Sequence, residues 1–138
     1  MYLLDSNVVS ELRFVTRYSP QVRAWEEGTP LAHCWISVVT LLETRKGICV
    51  VKRTDTAFAE VLESWLEERV KPAFDGRVLS VTPMIAERGG RIASIRTRGL
   101  ADCLIAAAAL EHRLKLVTRN VADFDDLDGL EIVNPWDA

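Results

Sequence analysis

Four acidic residues, spread over the whole chain, occupy positions from which they could act together. Asp5 closes the first predicted strand, and Asp123 follows the fourth. Glu43 lies about one turn into the helix after the second strand, and Asp102 opens the helix that leads into the fourth. Ligands of open parallel sheets bind beyond the carboxyl ends of the strands. We therefore expect the four carboxylates to converge at that edge.

Carboxylates that converge in one pocket favour a particular chemistry. They repel one another, and some would take up protons unless a cation neutralised them. Oxygen ligands suit hard cations such as Mg²⁺ or Mn²⁺, which keep waters for substrate phosphates. Such an ion can polarise a phosphate and lower the pKa of a bound water. The pattern therefore indicates metal-dependent hydrolysis of a phosphodiester.

Each acid also has a simpler explanation. Asp5 could cap a helix, and Glu43 could form a surface ion pair with Lys46, three residues on. Capping and the helix dipole are enough to explain Asp102 at a helix start. Asp123 lies in an acidic stretch and could be a solvated loop residue. The metal-site hypothesis therefore depends on the four positions taken together.

Hydrophobic periodicity and turn residues arrange the chain as alternating strands and helices. Short apolar runs predict strands at residues 2–5, 34–38, 77–81, 114–118 and 131–133. Helices are expected from the cap residue Ser6 to about residue 13, and at residues 19–28, 40–47, 56–70, 83–98, 102–113 and 121–124. This alternation implies an α/β fold with a parallel sheet and helices on both faces. Because no linker or repeat divides the 138 residues, we expect one domain over residues 1–138.

Glycines bear on the helix predicted at residues 83–98. Gly89 and Gly90 lie in its middle, where each should cost about 1 kcal/mol relative to alanine. Gly99 is expected to end this helix.

The net charge of −3 excludes a protein that binds nucleic acid through bulk positive charge. Any contact with RNA would need local basic patches and bound cations, although each patch could equally be a solvated helix face. The candidates are Arg45-Lys46, Lys52-Arg53 and the series Arg88, Arg91, Arg96 and Arg98.

Composition also limits the compartment and the cysteine chemistry. No apolar run approaches the roughly 18–20 residues of a membrane span, and Met1 to Asp5 shows no basic leader, so we expect a cytoplasmic protein. The three cysteines are widely spaced and odd in number, which favours neither a disulfide framework nor a zinc site. We expect each of them in or near the core.

Four stretches resemble the motifs of one family in order. They are Leu3 to Arg13, Ser37 to Glu43 with Gly47 beyond, Asp102 to Ala109, and Thr118 to Phe124. The closing Asn134-Pro135-Trp136 is typical of one branch of the same family. On these motifs the chain resembles PIN-domain toxins of the VapC and FitB type, which belong to type II toxin–antitoxin systems. Gly99-Leu100-Ala101 departs from the pattern, because a longer lead that contains proline is common before Asp102.

The resemblance implies a three-layer α/β/α sandwich around a parallel, five-stranded sheet, and an endoribonuclease that depends on Mg²⁺ or Mn²⁺. Asp5, Glu43, Asp102 and Asp123 would form the catalytic, metal-binding cluster, with Asp5 and Asp102 as the most direct ligands. Asn7, Thr118 and Asn120 would orient carboxylates and waters around it.

The same resemblance implies partners. A small DNA-binding antitoxin, often of ribbon-helix-helix type, would neutralise the toxin, lay its tail in a groove and repress the operon, so that operator DNA is met only through the antitoxin. The helix from Phe58 to Trp65 and Trp25 could line such a groove, although core packing explains large apolar side chains equally well. A homodimer is expected.

Other functions remain open. A PIN nuclease that trims ribosomal RNA or cuts DNA flaps is disfavoured by the small size. A phosphoacceptor signalling domain should have an acid pair after its first strand, and Asp5 stands without one. A non-catalytic partner-binding module that acts through an antitoxin–DNA complex is compatible with the sequence.

Overall fold

The centre of the molecule is a parallel sheet of five short strands. A computed structural model describes residues 1–12 and 19–137. The strands are β1 (Tyr2–Leu4), β2 (Cys34–Ser37), β3 (Val78–Leu79), β4 (Lys115–Val117) and β5 (Ile132–Val133). Their order across the sheet is β3-β2-β1-β4-β5, and every neighbouring pair is parallel. The order therefore reverses at β1, and the crevice between β1 and β4 is the place where such sheets bind ligands.

Alternation of side chains along the strands builds a core on each face of the sheet. Leu3 and Leu116 point into one core, which helices from the second half of the chain cover. Leu4 and Val117, the next residues along, belong to the other core, which helices from the first half cover. The arrangement is the three-layer α/β/α sandwich that the sequence predicted.

Seven α-helices are defined among the described residues. They are α1 (Ser6–Glu11), α2 (Pro20–Glu27), α3 (Val38–Lys52), α4 (Thr56–Trp65), α5 (Lys71–Ala73), α6 (Pro83–Ile95) and α7 (Leu100–His112). A π-helical turn, Leu66–Val70, joins α4 to α5, so the predicted helix at residues 56–70 changes type near its end. Short 3₁₀ turns lie at Leu31–His33, Val121–Asp123 and Pro135–Asp137. The predicted end of the first helix at about Arg13 lies outside the described residues, and α1 itself ends at Glu11.

Two helix boundaries differ from the prediction because two glycines were expected to end helices and do not. The helix predicted at residues 40–47 begins at Val38, where the Ser37 hydroxyl accepts the Val39 N–H (3.0 Å), and continues past Gly47 to Lys52. Gly47 is an exposed residue inside α3 and does not end the helix, and a Cβ there would meet nothing within 4 Å. Gly99 was expected to end α6 but is the N-cap of α7.

Surface properties agree with the composition in part. No helix within the described ranges is long and apolar enough to cross a membrane. All three cysteines are free thiols, and Cys34 and Cys103 are buried as expected. Cys49 is exposed, so its expected place in or near the core was wrong.

The Gly89–Gly90 pair lies where α6 packs against α7. Gly89 is buried, and a Cβ added there would come within 3.0 Å of Leu104 Cδ2. Gly90 is exposed, and a Cβ there would meet nothing within 4 Å. The close approach of α6 and α7 therefore explains why a glycine is found at position 89, but it does not explain the glycine at position 90.

We predict that Gly90→Ala raises the free energy of unfolding by about 0.5–1 kcal/mol, because alanine loses less backbone entropy in a helix. Gly89→Ala carries the same propensity gain but must displace the Leu104 side chain, so it should be the less stable of the two variants. Urea denaturation followed by circular dichroism measures both, and equal or reversed stabilities would contradict this account of the packing.

Candidate active site

Asp5 lies at the carboxyl end of β1, at the reversal of the sheet. Its backbone N–H donates to the Val117 carbonyl (2.9 Å), so the residue is held against the end of β4. Its side chain is 4% exposed, and Oδ1 accepts the Ser6 N–H (2.8 Å). Asp5 is thus the N-cap of α1, and the prediction that Ser6 caps this helix was wrong. The capping explanation and the metal-site explanation of Asp5 are compatible, because capping uses only one lone pair of the carboxylate.

A hydrogen-bond network fixes the second carboxylate oxygen of Asp5. The Thr118 hydroxyl, fully buried after β4, donates to Asp5 Oδ2 (2.8 Å) and accepts the Asn120 N–H (3.1 Å). Asn7 Nδ2 lies 3.2 Å from the same Asp5 oxygen and 3.3 Å from Thr118 Oγ1, and Asn7 Oδ1 accepts the Arg119 N–H. Two of the three predicted supporting residues, Thr118 and Asn7, therefore contact Asp5 directly, and Asn120 contacts Thr118 through its backbone N–H.

Glu43 reaches the same region from α3. The Ser6 hydroxyl donates to Glu43 Oε1 (2.6 Å), which ties the first residue of α1 to the second turn of α3. From the sequence, Ser6 was predicted to cap the first helix. A surface ion pair with Lys46 was the simpler explanation of Glu43. The contact joins residues 37 positions apart, and local spacing contains no signal of it.

Asp102 lies in the first turn of α7, where the helix N-terminus favours a negative charge. The pKa of its carboxyl is nevertheless raised to about 6, by burial first and then by the negative charges of Asp5, Asp123 and Glu43. Burial also raises the pKa of Asp5, against the lowering effect of its hydrogen bonds with Thr118 and the Ser6 N–H. The four predicted acids therefore share one electrostatic neighbourhood centred on Asp102.

Asp123 is the most exposed of the four acids, at the end of the 3₁₀ turn Val121–Asp123. Its backbone carbonyl accepts a hydrogen bond from Arg98 Nη1 (2.8 Å). Arg98 was a candidate for a basic RNA-binding patch, but its side chain is 3% exposed and pairs with Asp126. Its contribution to the site was missed because the pairing depends on how the loop before α7 is placed.

The side chains at this site carry the type of ligand atom that a hard divalent cation prefers. The four side chains offer only carboxylate oxygens, and the repulsion that raises the pKa of Asp102 is what a bound cation relieves. Within residues 1–12 and 19–137, no three or more acidic, histidine or cysteine side chains are grouped closely enough to hold a metal ion by themselves. An ion that keeps several waters, as Mg²⁺ does, requires only one or two of them as direct ligands.

Comparison with known proteins agrees with this geometry. The family model described as PIN domain matches residues 2–130. The chain belongs to the PIN-domain family. This PIN domain is 34% identical over 142 residues to the toxin FitB of Neisseria gonorrhoeae, with 99% of each chain covered. It is 32% identical over 149 residues to a VapC ribonuclease of Sinorhizobium fredii, also with 99% of each covered.

Solved structures share the fold of this PIN domain. The structure of FitAcB from Neisseria gonorrhoeae superposes with a TM-score of 0.88 at 31% identity, and all of both chains is covered. A structure of FitAB bound to an IR36 DNA fragment has a TM-score of 0.85 at 30% identity, covering 99% of this chain and 96% of the other. The sheet order and flanking helices described above are therefore those of the family.

We predict that replacing Asp102 by Asn changes how stability depends on pH in metal-free protein. The pKa of Asp102 in the folded state, about 6, lies above its ordinary value of 3.8. The folded state therefore binds the proton more strongly, and this stabilisation is lost as the pH rises through about 6. From about pH 4 to about pH 7 the wild type should lose on the order of 1 kcal/mol relative to Asp102→Asn, after allowance for solvent screening.

Chemical denaturation of both proteins in EDTA, at several pH values, measures this difference directly. Parallel profiles for wild type and variant would show that the pKa of Asp102 is not raised in the folded protein.

Proposed function

We propose that this chain is the toxin of a toxin–antitoxin pair and acts as an endoribonuclease that requires Mg²⁺ or Mn²⁺. The observation that carries the proposal is that Asp5, at the reversal of the sheet, acts electrostatically on Asp102 together with Asp123 and Glu43, and that these charges add to burial in raising the pKa of Asp102. Relatives that match 99% of this chain include a toxin and a VapC ribonuclease. We also propose that residues 1–138 form one PIN domain that acts in the cytoplasm.

We assign Asp5 and Asp102 as the most direct ligands of the divalent ion, with Glu43 and Asp123 completing the cluster. Bound there, the ion would supply polarisation of the scissile phosphate and a water of lowered pKa. The repulsion between four carboxylates and a phosphodiester means that substrate and protein need this cation between them.

Side chains around the cluster hold the carboxylates in place. Thr118 and Asn7 fix one oxygen of Asp5, and the Ser6 N–H fixes the other. Ser6 also orients Glu43 through its hydroxyl. Asp5 Oδ1 and Glu43 Oε1 each accept one hydrogen bond and so keep a second acceptor position for a metal, whereas Asp5 Oδ2 accepts two.

Long-range charge is a weak source of affinity for RNA in this chain. Several of the candidate basic side chains are already paired: Arg45 with Glu63 and Glu67, and Arg88 with Glu111. The paired side chains are neutralised locally, so the candidate patches are less positive than the sequence suggested. Binding of RNA is then expected to depend on the metal site itself.

We propose that the partner is a DNA-binding antitoxin, of ribbon-helix-helix type, and that the toxin forms a homodimer and meets operator DNA only through the antitoxin. The similar structure of FitAB was solved with a DNA fragment, which supports the antitoxin and its DNA. Two adjoining cavities of about 290 and 340 Å³ share Leu12, Glu26 and Leu31. Trp65 lines the first and Trp25 the second, so two of the apolar side chains considered from the sequence border the cavities that we assign to an antitoxin tail.

We predict that the purified chain, free of antitoxin, cleaves RNA only when Mg²⁺ or Mn²⁺ is present and that Asp5→Asn abolishes the cleavage. The carboxamide keeps the size of the side chain but loses the charge that attracts the cation. Gel electrophoresis of a cellular RNA pool, with and without EDTA, measures it.

Asp75→Asn is the matched control, because Asp75 is an exposed acid in the turn before β3, at the opposite edge of the sheet. It should cleave as the wild type does. If clean wild-type protein cleaves nothing with either ion, the non-catalytic binding module becomes the better description.

We predict that Thr118→Val lowers metal-dependent cleavage by roughly 10-fold to 100-fold, as loss of a supporting hydrogen bond does at metal sites. Valine has the shape of threonine without the hydroxyl that donates to Asp5, whereas Thr118→Ser keeps that hydroxyl. The serine variant should therefore stay close to wild type in initial-rate assays, and equal losses in the two variants would assign Thr118 to packing alone.

A further inference from the structure

Arg98, in the loop between α6 and α7, binds the segment that carries Asp123. Its Nη1 donates to the Asp123 carbonyl (2.8 Å) and to Asp126 Oδ1 (3.0 Å), and its Nη2 donates to Asp126 Oδ2 (2.6 Å). The guanidinium therefore binds one carboxylate through both oxygens and also binds one backbone carbonyl. The planar fork of arginine provides this geometry, and the ammonium of lysine does not.

A second arginine of the loop supports the same turn. Arg96 Nη2 donates to the Ala122 carbonyl (2.6 Å) and lies 3.5 Å from Asp126 Oδ1. The side chain of Arg96 is 41% exposed, in contrast to 3% for Arg98. Arg98 is thus the buried contact between the loop before α7 and the turn Val121–Asp123.

The same guanidinium acts on Asp102, four residues further along the chain. Its positive charge lowers the pKa of the Asp102 carboxyl, in opposition to the three neighbouring acids. Arg98 therefore lies within electrostatic range of one acid of the cluster while it holds the backbone of another.

Stability alone does not explain this arrangement. Arg98 Nε is buried and has no hydrogen-bond acceptor among the described residues. A buried charge with an unpaired donor is unfavourable, and a buried ion pair is weak support for stability. A buried arginine of this kind is expected where it is needed to hold two segments in a fixed relative position, even though it does not increase the free energy of unfolding.

We propose that Arg98 is a positioning residue of the divalent-metal site, which holds the turn bearing Asp123 against the helix start bearing Asp102. The inference rests on the proposed function and deepens it. Arg98 does not itself bind the metal. By binding the Asp123 carbonyl and Asp126, it keeps the carboxylates of Asp102 and Asp123 close enough to bind one ion, although their segments lie about 20 residues apart in the sequence.

The test uses Arg98→Lys in the full chain, with Mn²⁺ binding to metal-free protein measured by isothermal titration calorimetry. Lysine keeps the positive charge and removes the planar fork, so only the positioning is changed. We expect Mn²⁺ affinity to fall roughly 10-fold to 100-fold. In the Asp123→Asn background the same replacement should cause no further loss, because the carboxylate it positions is gone.

Arg88→Lys is the matched control. Arg88 also pairs with an acid, Glu111 (2.8 Å), and joins α6 to the last turns of α7, far along that helix from Asp102. Its replacement should leave Mn²⁺ affinity unchanged. Unchanged affinity in Arg98→Lys, or an equal loss in the Asp123→Asn background, would overturn the inference while the proposed function stands. Failure of the wild type to bind Mn²⁺ would overturn both.

If Arg98→Lys does not fold, as judged by circular dichroism, Asp126→Asn replaces it. This variant weakens the hold on the guanidinium from the other side, and Asp128→Asn removes an exposed acid of the same stretch as its control. We expect a loss of Mn²⁺ affinity in Asp126→Asn that clearly exceeds the loss in Asp128→Asn. Equal losses would overturn the inference.

Discussion

Repulsion between carboxylates at the reversal of the sheet is the constraint that the rest of this structure accommodates. Burial of Asp102, together with the negative charges of Asp5, Asp123 and Glu43, raises its pKa to about 6. Folding alone gains nothing from such a concentration of charge, since it makes the metal-free protein less stable near neutral pH. The arrangement makes physical sense with a divalent cation bound, because its positive charge offsets part of the repulsion between the carboxylates.

Several residues of the cluster lie at strand ends and helix caps, which are positions that the fold defines independently of any metal site. Asp5 directly follows β1 and caps α1, so its placement depends on two elements and not on a loop. Thr118 directly follows β4, which lies beside β1 in the sheet, and its buried hydroxyl therefore reaches Asp5. Asp123 has no strand or α-helix to hold it, and the Arg98 contacts provide the equivalent support from outside.

Much of this could be predicted from the sequence, because the relevant signals are local. Strand ends, helix periodicity and the four motifs predicted the layers and the sheet, and they also named the four acids that interact electrostatically. Glycine was the main source of error, since Gly47 continues a helix and Gly99 begins one. Contacts between distant residues were beyond the sequence: Ser6 with Glu43, and Arg98 with Asp126, 28 positions apart. Their partners depend on how loops are placed in three dimensions, and a charged residue alone does not show whether it faces solvent or the core.

The central claim is that the acids at the reversal of the sheet form one divalent-cation site. Anomalous diffraction from crystals of the protein soaked in Mn²⁺ tests it most directly. The account predicts an anomalous peak in contact with carboxylate oxygens of Asp5 and Asp102. Density for Mn²⁺ elsewhere on the molecule, with none between these two side chains at saturating metal, would contradict it.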